Sequence, residues 1–448
     1  TIIFVGEDNL HYEKFQDGSV KCIEDEIPFE VPEGWAWCRL KHVCTMAAGK
    51  AKPTDQIMTE PFEGCYPCFG GNGIRGYVDE YNQDGIFSIV GRQGALCGNI
   101  NIAKGKFYAT EHAVVTTLFS GIDFNWSNYV LEALQLNSYA TGAAQPGLSV
   151  ANVLNVFVPV PPTQEQVHIG IRIAESIKII ENIEDEKENL QTLISSAKSK
   201  ILDLAIRGKL VSQNPNDEPA SVLLERIRAE KEELIKQGKI KRDKKESIIF
   251  KGEDNSYYLK TGDITEPLED WELDGLPDSW SFCCLGEICD YGNCINVATV
   301  DIDDSAWILD LEDIEKDTGI VLQKVRKAKR NSISTKHLFH KGQVLYSKLR
   351  PYLNKVVLAD EDGYCTSEIL PLDFQENIIP QYARYYLMSP TFLQYTNKCS
   401  YGVKMPRLGT VDGKKTIITL PPLAEQKRIV KAIETIFAQL DEISNAIA

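Results

Sequence analysis

The sequence predicts an α+β fold in which two mixed, β-rich domains are joined by two long antiparallel, coiled-coil-like helices, with a pseudo-two-fold internal repeat. Two observations carry this prediction. A set of motifs occurs twice in the same order, and a helical pattern of apolar residues follows the last motif each time. The chain of 448 residues is also too long for one ordinary hydrophobic core, while 43% hydrophobic and 25% charged residues are typical of a folded globular protein.

The repeat consists of four separated motifs whose second copies keep the order of the first. In chain order the pairs are "IIFVGEDN" at Ile2 with "IIFKGEDN" at Ile248, "VPEGWAWCRL" at Val31 with "LPDSWSFCCL" at Leu276, "TGAAQPGLS" at Thr141 with "YGVKMPRLG" at Tyr401, and "VPPTQEQVHIG" at Val160 with "LPPLAEQKRIV" at Leu420. The interiors, roughly residues 45–140 and 290–400, share little with each other. The pattern therefore indicates a duplicated scaffold that carries two different inserts.

A long helix is predicted from Thr163 to Ile206, because apolar residues recur there at alternating steps of three and four. The same pattern returns 260 positions later, between Ile429 and Ile447. Each helix has one apolar stripe that needs a partner, and the other copy is the candidate. A second, highly charged helix is predicted from about Glu218 to Gln237.

The inserts contain short runs rich in β-branched residues and punctuated by glycine, which predict small mixed sheets. We therefore expect four segments: a first recognition domain at 1–160, a first helical spacer at 161–246, a second recognition domain at 247–420 and a second spacer helix at 421–448.

Charge and composition narrow the class of function. The net charge of −16 argues against a general polyanion binder, yet no acidic residue lies between Asp317 and Asp360, a stretch rich in Lys and Arg. This distribution indicates a focused anion site. The sequence shows no membrane span or signal peptide, and its cysteines do not complete a zinc set, so we expect a cytoplasmic protein with reduced thiols and no metal.

Motifs for catalysis are missing from the sequence. Gly71, Gly73 and Gly76 match a dinucleotide fingerprint, but the segment that follows is too short and polar for the required helix. The sequence contains no GxxxxGK[ST] phosphate loop, no HExxH pair and no Asn/Asp-Pro-Pro-aromatic segment. The pattern favours a binding protein without catalytic residues or a cofactor of its own.

Candidate DNA-binding residues combine cations for phosphates with Arg, Asn and Gln side chains for base edges. In the first half they are Asn72, Arg75, Arg92, Gln93, Asn99, Asn101, Lys104 and Gln145. In the second half they are Tyr346, Ser347, Lys348, Arg350, Tyr352, Lys355, Lys404 and Arg407.

The duplicated scaffold, the long helices and the Pro-Pro-x-x-Glu-Gln-x-x-Ile motif after each insert together resemble the specificity subunit of type I restriction–modification enzymes. The resemblance covers nearly the whole chain, and "LPPLAEQKRIV" is its most specific element. The segments "GNGIRGYVDEY" and "KGQVLYSKLRPYLNKV" also resemble two different types of target-recognition domain in that family.

The resemblance implies a non-catalytic chain in which each insert reads one half of a split double-stranded DNA site and the helices set the gap. It implies two methyltransferase subunits bound to the scaffold helices, together with motor-nuclease subunits. S-adenosylmethionine, ATP and Mg are then expected on those partners. Candidate partner-binding residues lie in the two exit motifs: Pro162, Glu165, Gln166, Pro422, Glu425 and Gln426.

Two alternatives remain open on the sequence. The chain is a DNA reader fused to its own nuclease or methyltransferase activity, or a coiled-coil adaptor that binds only proteins. Cleavage or methylation of DNA by the isolated chain would support the first alternative. A lack of DNA protection by either insert would support the second.

Overall fold

The structure is a computed structural model that describes residues 1–94, 96–142, 146–238, 246–254, 256–268, 275–330, 333–374 and 378–447. The chain divides into two compact units, Thr1–Asp185 and Glu186–Ala448. Mixed sheets and long helices make up these units, which confirms the predicted α+β class. The predicted segment boundaries at 160, 246 and 420 stay predictions.

The first unit contains three sheets. Its strands are β1 (Ile2–Val5), β2 (His11–Lys14), β3 (Val20–Cys22), β4 (Ala36–Arg39), β5 (Cys44–Ala48), β6 (Tyr66–Gly70), β7 (Gly73–Val78), β8 (Gln83–Gly91), β9 (Ile100–Ala109), β10 (Ala113–Leu118) and β11 (Phe157–Val160). Strands β1–β3 form one sheet, β4 pairs with β11, and the insert forms a six-stranded sheet of order β5-β10-β8-β9-β6-β7. Helices α1 (Phe124–Ala133) and α2 (Val150–Val153) follow this sheet, and α3 (Thr163–Ile206) begins three residues after β11.

The second unit repeats the outer elements around a different insert. Its strands are β12 (Ser247–Lys251), β13 (Tyr257–Thr261), β14 (Ile264–Pro267), β15 (Ser281–Cys284), β16 (Ile295–Val297), β17 (Trp307–Leu309), β18 (Val325–Arg326), β19 (Lys336–Phe339), β20 (Val344–Ser347), β21 (Val356–Leu358), β22 (Gly363–Thr366), β23 (Ile369–Leu372) and β24 (Ile417–Leu420). The insert has a five-stranded sheet, β16-β19-β22-β17-β18, and a three-stranded sheet, β21-β20-β23. The helices of the second unit that follow α3 are α4 (Ala220–Lys236), α5 (Leu285–Ile288), α6 (Pro380–Leu387), α7 (Pro390–Cys399), α8 (Thr410–Lys415) and α9 (Leu423–Ala446).

The repeated motifs fold alike in the two units. The hydroxyl of Tyr12 donates to Asp8 at 2.7 Å, and that of Tyr258 donates to Asp254 at 2.7 Å. Strand β4 pairs antiparallel with β11, and β15 pairs in the same way with β24. Because this pairing joins the entry and exit of each insert, the base of the insert is the same while its interior differs.

The long helix α3 has the predicted bounds, and its C-terminal part contacts α9 within the second unit. The hydroxyl of Thr419 donates to the carbonyl of Ile206 at 2.7 Å, and Lys198 forms an ion pair with Asp441. Thr419 lies in β24 just before α9, and Asp441 lies near the end of α9, so this part of the chain runs opposite to α3 and the two helices are antiparallel there. Ile433 of α9 is completely buried in the large apolar cluster that also contains the end of α3.

The N-terminal part of α3 keeps an exposed apolar stripe. Ile177, Ile180 and Ile183 are 39%, 54% and 58% exposed. Ile180 and Ile183 belong to the predicted apolar stripe, whose later member Ile194 is buried, so the stripe is covered only in its C-terminal part.

Candidate nucleic-acid interface

Two loops meet beside the six-stranded sheet of the first unit. One is the connection from β8 to β9, residues 92–99, and the other is the segment 141–148. The amide of Leu148 donates to the carbonyl of Arg92 at 2.9 Å, and the amide of Gly94 donates to the carbonyl of Pro146 at 3.0 Å. Thr141 and Gly147 exchange two backbone hydrogen bonds of 2.9 Å, which close the base of the second loop.

The second unit builds the same arrangement from an unrelated insert. Here residues 348–355, between β20 and β21, meet the segment 401–408. The amide of Leu408 donates to the carbonyl of Lys348 at 3.0 Å, and the amide of Arg350 donates to the carbonyl of Pro406 at 2.7 Å. Tyr401 and Arg407 exchange backbone hydrogen bonds of 3.1 and 2.9 Å. We call the described residues of 92–99 and 141–148, and residues 348–355 with 401–408, the paired loops.

These hydrogen bonds align the two inserts residue by residue where their sequences do not. Arg92 corresponds to Lys348, and Gly94 corresponds to Arg350. Gly94 has a φ of 93° and Arg350 a φ of 50°, so both lie in the left-handed region. A non-glycine residue there is strained by about 1–2 kcal/mol, and such strain concentrates at functional sites. The Arg350 side chain is thus placed on a backbone position where the other unit uses glycine.

The first unit presents amides beside its paired loops. Asn99 donates from its side chain to the Asn72 side-chain oxygen at 3.1 Å, and both residues are exposed. The side-chain nitrogen of Asn101 is buried and has no hydrogen-bond partner among the described residues. Arg92 and Gln93 are exposed in the same loop. This group brings together most of the amides selected from the sequence.

The other candidates of the first half are more scattered. Arg75 is exposed on β7 and donates to the Thr54 hydroxyl at 2.8 Å, and exposed Lys104 pairs with Ile86 further along β9. Gln145 lies outside the described residues.

The second unit presents cations at its paired loops. Lys404 and Tyr352 are exposed, while Lys348 and Arg350 are half-buried. Arg407 donates from Nε and Nη2 to the Glu368 carboxylate, the latter at 2.9 Å. This hydrogen-bonded pair raises the pKa of Arg407 above its ordinary value. Glu368 is a residue that sequence reasoning missed, because only the fold brings it within reach of Arg407.

Three candidates of the second half are corrected by the structure. Tyr346 and Ser347 are each 3% exposed because β20 lies inside the insert, so neither side chain reaches a nucleic acid in this conformation. The ammonium of Lys355 donates to the carbonyl of Leu311 at 2.7 Å, and burial lowers its pKa. Tyr346 and Ser347 therefore belong to the buried strand that leads into the paired loop, and the Lys355 ammonium is engaged within the insert.

The acid-free basic stretch is partly neutralised by acidic residues that are distant in sequence. Acidic residues from neighbouring segments pair with its cations at 2.5–3.2 Å: Lys324 with Asp360, Arg326 with Glu361, Lys327 with Asp304, Arg330 with Asp310 and Asp313, and Lys336 with Asp310. These five cations are therefore not available to an anion, and the expectation of a focused anion site stays a prediction for cations outside these pairs, such as Lys348 and Arg350. Absence of acids from a segment says nothing about acids that the fold brings to it.

The Glu-Gln motif at the exit of each insert acts inside the chain. Gln166 accepts from the amide of Asp123, the N-cap of α1, at 2.8 Å and donates to the carbonyl of Pro161 at 2.8 Å. Gln426 likewise accepts from the amide of Ile379, the N-cap of α6, at 2.9 Å and donates to Pro421 at 3.0 Å. Both glutamines are therefore buried joints between the exit motif and a helix of the insert.

The glutamates of the motif differ between the units. Glu425 is completely buried and accepts from the indole nitrogen of Trp280 at 3.0 Å and from Gln213 at 2.6 Å. Burial raises its pKa above the ordinary 4.5. Glu165 is half-buried, Pro162 is exposed and Pro422 is buried. The assignment of partner binding to Gln166, Glu425 and Gln426 is corrected, since these side chains are already engaged within the chain.

Among the described residues, no three His, Cys, Asp or Glu side chains are grouped so that they could hold a metal ion. The cysteines are free thiols, and burial raises the pKa of Cys284 to about 12. In the part of the chain that the structure describes, no helix has the length and apolarity needed to cross a membrane.

Known proteins share this organisation. The family model described as type I restriction modification DNA specificity domain matches residues 32–192 and 277–448, one match for each copy of the repeat. The type I restriction enzyme EcoprrI specificity subunit of Escherichia coli is 42% identical over 160 residues, which are 36% of this chain and 38% of that protein. The EcoDI specificity subunit of Escherichia coli is 21% identical over 428 residues, covering 94% of this chain and 86% of that protein.

A solved structure described as showing assembly and conformational transition of the type I R-M system supports the fold. One of its chains superposes with a TM-score of 0.53 at 16% identity, covering 94% of each chain. With two matches that together span well over half of its length, the chain belongs to the family of type I restriction–modification DNA specificity proteins.

Proposed function

We propose that this chain recognises a bipartite site in double-stranded DNA, one half-site for each unit, and carries no catalytic centre of its own. One observation carries the proposal: two inserts with unlike sheets build the same paired loops and place polar side chains on them. The same hydrogen bonds at the base of the loops, with different side chains, suit two readers that perform the same task on different sequences. Amides in the first unit and cations in the second are groups that read base edges and hold phosphates.

The long helices are the spacer in this proposal, because two readers on a common helical scaffold meet the duplex at a set separation. They also provide the docking site for two methyltransferase subunits, to which motor-nuclease subunits join. The exposed isoleucines Ile177, Ile180 and Ile183 on α3 support docking there. Since Gln166, Glu425 and Gln426 are engaged internally, docking uses outward faces of the helices.

The partner subunits bind S-adenosylmethionine, ATP and Mg, and the complex acts in the cytoplasm. The net charge of −16 is compatible with this role, because cationic partner subunits supply much of the phosphate neutralisation. Because several cations of the basic stretch are paired with acids inside the second unit, recognition relies on a small set of loop cations, Lys348, Arg350 and Lys404.

Methylation mapping tests the proposal. The chain is co-expressed with its methyltransferase partner, and modified positions are mapped across a genome. We expect one motif made of two short half-sites with a fixed gap. Exchange of residues 45–140 for the insert of another family member is expected to change one half-site only. A continuous motif, or a change of both half-sites, would contradict modular reading.

The absence of catalysis is tested on the purified chain. Incubation of the chain alone with DNA, S-adenosylmethionine, ATP and Mg is expected to leave the DNA uncut and unmethylated. Cleavage or methylation by a preparation free of partner subunits would favour a reader with its own activity. Binding that is indifferent to scrambling of either half-site would contradict sequence-specific recognition.

A further inference from the structure

We propose that Val403, at the tip of the loop 401–408, reads the C5-methyl group of a thymine in the second half-site. The inference rests on the proposed function and adds a specificity-determining residue to it. Val403 belongs to none of the residue classes selected above for DNA binding, since its side chain carries neither charge nor hydrogen-bonding groups.

The loop that carries Val403 is held firmly at its base. Tyr401 and Arg407 close it by two backbone hydrogen bonds, and Pro406 is bound by the amide of Arg350. Hydrogen bonds from the Arg407 guanidinium to the Glu368 carboxylate also hold this closed end of the loop in place. Gly402 has a φ of 97°, a left-handed conformation that turns the chain into the tip. The position of the tip is therefore set by the fold.

The tip is apolar although its surroundings are cationic. Val403 is 100% exposed and Met405 is 51% exposed, on either side of exposed Lys404. Arg350 is linked to the same loop through its backbone. A firmly held loop with a fully exposed valine gains no burial within the chain, so that side chain is available to a partner.

The chemistry of duplex DNA restricts what such a side chain meets. The cations around the tip attract the phosphate backbone. Within the major groove the apolar feature of the base edges is the C5-methyl of thymine, which Ala, Thr and Phe side chains contact in recognition sites. Valine provides the same type of aliphatic surface. Insertion between base pairs is the other use of apolar side chains on DNA, but it relies on Phe, Leu, Ile, Met and Pro wedges and requires unstacking, so at this tip it would involve Met405 and not Val403.

The first unit supports a role in specificity for this position. Its paired loop has the same closed base, with Thr141 and Gly147 exchanging hydrogen bonds and Gly142 at a φ of 100°. The sequence between these residues is Ala-Ala-Gln-Pro, where the second unit has Val-Lys-Met-Pro. A common base with different tip residues is the expected arrangement for readers of different half-sites.

Deoxyuridine substitution tests the inference on the full chain assembled with its methyltransferase partner. After the site has been mapped, each thymine of the second half-site is replaced in turn by deoxyuridine, which removes the methyl group and keeps the base pairing. We expect one such replacement to weaken binding roughly fourfold, the effect of one lost methyl contact. In Val403→Ala the same replacement is expected to change affinity by less than about 1.5-fold.

Two controls locate the effect. Val300→Ala removes the same groups from a valine that is 86% exposed elsewhere in the second unit, and it is expected to keep the fourfold response. Deoxyuridine in the first half-site is expected to act equally on wild type and Val403→Ala. The inference is overturned if no thymine of the second half-site responds, or if the response persists in Val403→Ala. Loss of all site-specific binding by the wild-type complex would instead overturn the proposed function.

Discussion

Trp280 donates a hydrogen bond from its indole nitrogen to the buried carboxylate of Glu425 at 3.0 Å. The bond links the second motif of the repeat to the fourth, 145 positions apart. Its counterpart in the first unit is not formed: the indole nitrogen of Trp35 is buried without a hydrogen-bond partner among the described residues. The two copies of the repeat therefore differ at this point. The tryptophan indole has a hydrogen-bond partner in the second copy and none among the described residues in the first.

This difference provides a matched pair of substitutions. Trp280→Phe is expected to lower the free energy of unfolding by about 1–3 kcal/mol beyond the loss of ring contacts, because the buried carboxyl group of Glu425 loses a hydrogen-bond donor. Trp35→Phe removes an unpaired group and is expected to cost less by at least about 1 kcal/mol. Urea unfolding followed by circular dichroism measures both, and equal losses would contradict the assigned role of the bond.

Glu425 is expected to make stability depend on pH. Burial raises the pKa of Glu425 in the folded chain above the ordinary 4.5, so the folded state holds this proton to higher pH than the unfolded state. As the pH rises above about 4.5, the unfolded chain loses the proton first, and stability falls until the folded pKa is passed. Relative to Glu425→Gln, which does not titrate, wild type is expected to lose stability as the pH rises above about 4.5. A difference that grows in favour of wild type with rising pH would contradict this assignment.

Gln426 is expected to be a structural joint. Gln426→Ala leaves the amide of Ile379 and the carbonyl of Pro421 without their side-chain partner, at a cost of about 2–4 kcal/mol. Lys427→Ala, at the next and exposed position, is expected to change stability by less than about 0.5 kcal/mol. Thermal unfolding of the two variants decides between a joint and a partner contact. A stable Gln426→Ala variant that fails to bind the methyltransferase subunit would restore the interpretation as a partner contact.

Two substitutions of Arg350 distinguish the effect of backbone strain on stability from the effect of the guanidinium on DNA recognition. Glycine adopts a φ of 50° freely and alanine does not, so Arg350→Gly is expected to be about 1 kcal/mol more stable than Arg350→Ala. Both variants lose the guanidinium and are expected to lose about 1–3 kcal/mol of affinity for the second half-site. Unfolding and DNA titration of the two proteins are compared. If Arg350→Gly binds DNA as tightly as wild type and only the less stable Arg350→Ala binds weakly, the loss of affinity follows stability. This result would argue against recognition by the Arg350 guanidinium.

Alanine substitutions of Lys404 and Lys355 are expected to have opposite effects on stability and on the salt dependence of DNA binding. Lys404 is exposed, so Lys404→Ala leaves stability within about 0.5 kcal/mol and reduces the slope of log affinity against log salt by about 1. Lys355 donates to the carbonyl of Leu311, so Lys355→Ala costs about 1–2 kcal/mol of stability and leaves the slope unchanged. Titration at several salt concentrations measures the slopes. A reduced slope for Lys355→Ala would place that ammonium on DNA.

Several features were predictable because they depend on local spacing. The helix from Thr163 to Ile206 was predicted with both ends correct, since apolar residues at three- and four-residue steps and the flanking Pro161 and Gly208 act within one segment. The duplicated motifs were likewise visible from order alone. The family model matches both copies of the repeat, which confirms the resemblance.

The candidate interface was predictable in part. Asn72 and Asn99, chosen as polar residues among glycines, are brought together by a hydrogen bond. Tyr346 was predicted from a segment in which hydroxyls and cations interleave, but it is buried, because alternation along β20 does not reveal that both of its faces are covered. Glu368 was missed since its partner Arg407 is 39 positions away.

The sequence by itself determined the duplicated scaffold, the long helices and the class of protein, because these depend on residue types at short or repeated spacings. The tertiary structure decided which cations of the second insert stay available, through acids such as Asp313 that pair with Arg330. It also decided that Arg92 and Lys348 occupy equivalent positions. Hydrogen bonds and ion pairs between distant segments depend on the path of the chain, and that path is set by the packing of the whole insert.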